Sequence, residues 1–116
     1  MAATVKAQVP FTGSPVGVFV ATDGATVTFD LNSGLRQVVT LGGNRTLALS
    51  NDADGMGFTI ILKQDGTGSR TVTWWSGIKW AGGSAPTLTT TAGKYDVVTF
   101  LRMASGEYLG VVTQNF

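Results

Sequence analysis

Apolar and polar residues alternate with a period of two along much of this 116-residue chain. That is the spacing of strands with one buried face. Ala25-Thr26-Val27-Thr28-Phe29-Asp30-Leu31 sets Val27, Phe29 and Leu31 on one side and Thr26, Thr28 and Asp30 on the other. Thr46-Leu47-Ala48-Leu49-Ser50 repeats the pattern, and Ser69-Arg70-Thr71-Val72-Thr73-Trp74 does so with Val72 and Trp74 inward. Two segments, Phe58-Thr59-Ile60-Ile61-Leu62 and Val97-Val98-Thr99-Phe100-Leu101, are apolar on both sides. They predict strands that lie centrally in a sheet or are covered on the second side by another subunit. No window carries a 3.6-residue apolar stripe; the best, Asn32 to Val39, is interrupted by Gly34.

Between these runs fall Asp23-Gly24, Asn32-Ser33-Gly34, Gly42-Gly43-Asn44, Asp65-Gly66-Thr67-Gly68, Gly82-Gly83-Ser84 and Ser105-Gly106. Gly and Asn supply the positive φ of tight hairpins, and turns every 8–12 residues or so mark sandwiches and barrels. The expected fold is therefore all-β: a single-domain antiparallel β-sandwich, jelly-roll-like, of about 8–10 short strands. Residues 1–22 are expected to form an N-terminal arm and first strand, and residues 23–116 the sandwich. Pro10, Gly13 and Pro15 make the start irregular, and such an arm could pack on a neighbouring subunit. No internal repeat emerges.

Composition narrows the function. Hydrophobic residues make up 43% and charged ones 13%, so the chain can bury a core and has an unusually uncharged surface. The formal charge is +1, with Lys and Arg spread singly, which argues against nucleic acid and against an anionic membrane as partners. No Cys and no His occur, which removes disulfides, thiolate or imidazole metal sites and the usual nucleophile–base pairs. Most Asp residues sit in turns beside Gly, where they hydrogen-bond their own backbone. Asn51-Asp52-Ala53-Asp54-Gly55 echoes the opening of a calcium loop, but the twelfth position from Asp52 is Lys63 rather than Glu. It reads as a solvated turn. No catalytic residue, metal site or cofactor is expected. The start lacks a signal peptide, so synthesis in a host cytoplasm is expected.

One cluster has two readings. Trp74, Trp75 and Trp80 fall within seven residues, and alternation from Trp74 sends Trp75 outward. An outward Trp75 fits a subunit interface, together with Tyr108, Val9, Phe11 and Phe116. Alternatively, Trp75 and Trp80 stack on a cell-surface glycan.

Several short motifs, in order, carry a resemblance. They are Gly43-Asn44-Arg45-Thr46-Leu47, Phe58 to Gly66, Arg70-Thr71-Val72-Thr73-Trp74, Ile78-Lys79-Trp80, Gly82 to Thr91 and Asp96-Val97-Val98-Thr99-Phe100. Together they resemble a module of tailed-bacteriophage virion proteins, over roughly Thr26 to Phe116. Such modules occur near the ends of tail fibres and in small head proteins, and the resemblance implies a non-enzymatic β-sandwich that trimerises. Only about 25 residues precede the matched region, against the long shaft of a fibre. The expected role is therefore capsid decoration: a homotrimer on the capsid surface of the virion that clamps the major capsid protein. The alternative is a tail-fibre tip that binds a glycan.

Overall fold

A computed structural model of the chain describes residues 17–116. Among the described residues the alternating segments form nine strands, rich in the β-branched and aromatic residues that suit a pleated surface. They are β1 (Phe19–Val20), β2 (Thr26–Asp30), β3 (Arg36–Leu41), β4 (Arg45–Ser50), β5 (Gly57–Gln64), β6 (Val72–Thr73), β7 (Ile78–Trp80), β8 (Tyr95–Arg102) and β9 (Tyr108–Thr113). A 3-10 turn, Ala81–Gly83, follows β7. The domain is all-β, as expected. One sheet has the order β1-β3-β5-β8-β9-β7 and the other β2-β4-β6. The two strands predicted to be apolar on both faces, β5 and β8, are neighbours at the middle of the larger sheet.

Strand direction departs from the expectation. Among the described residues five of the seven strand pairings are parallel, and only β5–β8 and β8–β9 are antiparallel. From β1 to β6 the chain alternates between the sheets, so each turn is an arch that crosses the core. Among the described residues only the Ser105-Gly106 turn makes a hairpin of neighbours. The N-terminal half is thus a short solenoid of three coils, β1–β2, β3–β4 and β5–β6, closed by the β8–β9 hairpin. Gln37 pairs with Phe19 and with Ile60, and Thr46 with Thr26 and with Thr73. These steps of 18, 23, 20 and 27 residues are too uneven to register as a sequence repeat.

The core fills the space between the sheets. Val27, Phe29 and Leu47 of the smaller sheet meet Val39, Leu41, Phe58, Ile60, Leu62, Val98 and Phe100 of the larger, all at most 2% exposed. Polar side chains tie each arch to the next. Asp23 receives Arg45 through Nε and Nη2, both at 2.9 Å, and the Gly42 N–H at 3.2 Å. Asn51 Nδ2 donates to Asp30 at 2.7 Å, and Asn44 Oδ1 accepts from the Thr71 N–H at 3.0 Å. Inside the coils, Gln37 Nε2 donates to the carbonyls of Asp30 and Gly34, and Gln64 Nε2 to those of Arg70 and Thr89. Arch carbonyls that would otherwise be buried and unpaired are satisfied in this way.

Candidate assembly face

Register decides which side chains face out, and the two sheets differ sharply. The smaller sheet turns Thr26, Thr28, Asp30, Thr46, Ala48, Ser50 and Thr73 to solvent, a polar face. On the larger sheet one outward row runs Val20–Val38–Ile61–Val97 across β1, β3, β5 and β8. The next rows bring Val111 beside Thr99 and Leu109 beside Leu101. Val20 is 71% exposed, Val111 54%, and Leu101 and Leu109 44% each. Lys63, with its ammonium 5.2 Å from the Tyr95 ring centroid, closes one end of the face, and Lys79 sits beside Leu109 at the other. Thr59 and Thr99 interrupt the face beside Arg36 at its edge, but the rows on either side are apolar, and a sheet face of this kind is a surface suited to being covered. Its signal in the sequence was the two-sided apolar character of β5 and β8; Leu109 and Val111 of β9 complete it.

The tryptophans lie elsewhere. β6 ends at Thr73, so the alternation that would send Trp75 outward no longer governs it. Trp75 instead packs half-buried against Phe100, Tyr108 and Phe58, at centroid distances of 4.9, 5.8 and 6.3 Å. Its indole N–H is buried without an acceptor among the described residues. Trp80 is also half-buried, edge-on to Trp74 at 4.9 Å and to Phe100 at 5.7 Å. Gly110 makes room for it: a Cβ there would come within 2.9 Å of the Trp80 ring. The sequence thus grouped these residues correctly but oriented Trp75 wrongly. Phe116 is 57% exposed, with its backbone locked to Tyr95 by two hydrogen bonds of 3.0 and 3.2 Å. Val9 and Phe11 lie outside the described residues.

Tyr108 points inward, 9% exposed, and its hydroxyl donates to Asp52 Oδ2 at 2.5 Å. Arg102 Nε donates to the same oxygen at 2.9 Å. Burial pushes the Asp52 carboxyl up, but Tyr108 and Arg102 outweigh it and hold Asp52 below the ordinary carboxylate range. Burial and the Asp52 charge raise the Tyr108 hydroxyl. Asp52 of the calcium-like turn therefore braces the β4–β5 arch against the β8–β9 hairpin. Asp65 accepts from Arg70 and from the N–H groups of Gly68 and Thr67, which bring it down to about 2. In each case the carboxylate fastens a turn.

Comparison with curated proteins and with solved structures gives no match. A family model does match, over residues 36–107, and its description reads "Putative phage tail fibre C-terminal domain". The matched stretch runs from the first residue of β3 to the last before β9, through the aromatic cluster and the middle of the larger sheet. It covers more than half of the chain, and on that ground the protein belongs to this family of phage tail-fibre C-terminal domains.

Proposed function

We propose that this chain is a non-enzymatic structural module of a phage tail fibre that associates with copies of itself through the outer face of the larger sheet. The contrast between the two outer faces carries the reading, since one is polar and the other bears Val20, Val38, Ile61, Val97, Leu101, Leu109 and Val111. The long strands β3, β5, β8 and β9, at about 4.8 Å apart and up to about 27 Å long, present about 500 Å². Two such faces would together bury about 1,000 Å², near the lower bound of a specific contact. Three turned toward a common axis, each face shared between two neighbours, bury about 1,500 Å² in all and give a homotrimer held by its three contacts together, with Phe116 available at the margin.

Family membership favours the tail over the head lattice, so the clamp on the major capsid protein becomes the second reading. A glycan site on Trp75 and Trp80 is less favoured, because both rings are half-buried in contacts with other rings. Leu109→Lys combined with Val111→Lys is the direct test. Sedimentation of the wild type as a trimer and of the double variant as a folded monomer supports the proposal. A monomeric wild type, or a double variant that assembles as before, overturns it.

A further inference from the structure

Two glycines lie within strands of the described residues, and only one is explained by its own chain. Gly110 of β9 leaves room for the Trp80 ring, which a Cβ would meet at 2.9 Å. Gly57, which opens β5, has no such reason. Its φ lies outside the left-handed region, and the nearest atom to a Cβ there would be the Phe100 carbonyl oxygen, at 3.9 Å. The chain has space for a side chain at this position, and glycine weakens a strand. A strand glycine often marks a place where another group approaches closely. The missing side chain leaves a hollow of about 200 Å³ in the outer face of the larger sheet, lined by Leu35, Arg36, Gly57, Phe58, Thr59 and Thr99.

The same face carries a group that fits the hollow. Register puts Gly57, Leu101 and Leu109 in one row across β5, β8 and β9, and Thr59, Thr99 and Val111 in the next. The β9 end of these rows stands out, with Leu109 44% and Val111 54% exposed, whereas Thr59 and Ile61 of β5 are half-buried. The face thus has a ridge on β9 and a hollow on β5, two unlike patches of the kind that close a ring of identical chains. Rotation about an axis parallel to the strands leaves every residue at its own height, so such copies meet row on row. Each contact of the trimer holds about 500 Å², small for a specific interface, and so depends on an anchor packed in a pocket. Resting on the reading of this face as the contact between copies, we infer that Leu109 of one copy seats in the Gly57 hollow of the next. Val111 of the first copy then lies against Thr59 of the second.

Gly57→Val fills the hollow, and its Cβ is clear of its own chain. The variant should keep the circular dichroism of the wild type. It should raise the concentration at which trimers form on the order of 10- to 100-fold, read by sedimentation over a dilution series. A cysteine pair reads the same contact with the hollow left open. Thr59 and Val111 are two strands apart within one chain, about 10 Å, beyond the reach of about 7 Å for a disulfide. The native chain has no Cys, so oxidised Thr59→Cys with Val111→Cys should run as covalent trimers, and each single variant as monomers. Trimers unmoved by Gly57→Val, a double variant that stays unlinked when assembled, or Val111→Cys alone joining ridge to ridge overturns the inference and leaves the face as the contact. A wild type that sediments as a monomer overturns both.

Discussion

Asp96→Asn changes one oxygen and tests how the closing hairpin is held. Asp96 is 2% exposed and accepts the Thr89 N–H at 2.7 Å and the Asn115 N–H at 3.1 Å, with Gln114 Nε2 also at 3.1 Å. It thus fastens both the stretch before β8 and the segment after β9. Burial alone would raise its carboxyl, but these donors outweigh burial and hold it below its ordinary value. An Asn keeps one acceptor oxygen and turns an NH2 toward a donor. At least one part-buried backbone N–H loses its acceptor, at about 1–3 kcal/mol, and the remaining bonds lose their charge. The sum is about 2–4 kcal/mol, or a melting temperature lower by about 8–16 °C for a domain of this size. A lowered carboxylate stabilises the fold above its unfolded pKa and loses that contribution as pH falls through the folded value. The gap between wild type and variant should therefore be full above about pH 4 and close below it. Urea unfolding from pH 7 to pH 3 reads both. Equal stability at neutral pH, or a gap that does not change with pH, would mean that the Asp96 carboxylate does not hold these segments together.

Gly110→Ala should cost about 1–3 kcal/mol and disturb the near-ultraviolet signal of the tryptophans, because its Cβ would lie 2.9 Å from Trp80 and 3.1 Å from Phe100. An unchanged spectrum and melting point would contradict that packing. Trp75→Phe should stay within about 1 kcal/mol of the wild type, since it removes a buried donor along with some contact area, whereas Trp75→Ala should cost about 3 kcal/mol. Denaturation that finds Phe as costly as Ala would mean that the indole N–H has a partner. Asp65, held at about 2, should make stability fall as pH drops from about 4 toward 2, and Asp65→Asn should flatten that part of the profile.

Much of the fold was legible because alternation specifies which residues of a strand face in. Val27, Phe29 and Leu31 are all fully buried, and Thr26 and Thr28 are exposed. The central placing of β5 and β8 followed from their two apolar sides. Strand direction was not legible, since Gly-, Asn- and Asp-rich turns serve an arch between sheets as well as a hairpin within one. Asp23 and Asn44 looked like hairpin residues, yet each bonds a neighbouring coil, to Arg45 and to Thr71. Uneven coils hid the parallel stacking from any search for a repeat. Trp75 was misdirected for a local reason: it lies two residues past the end of β6, where a period of two has no backbone to enforce it. Tyr108 looked like a surface anchor because its partners, Asp52 and Arg102, are distant in sequence from one another.

Sedimentation of the full chain with and without Leu109→Lys and Val111→Lys reads the use of the outer face of the larger sheet in assembly. Both side chains are about half exposed, so the lysines should leave the fold and its melting behaviour intact. The wild type should sediment as a trimer and the double variant as a monomer with the same circular dichroism. A wild type that sediments as a monomer, or a double variant that still assembles, would contradict it.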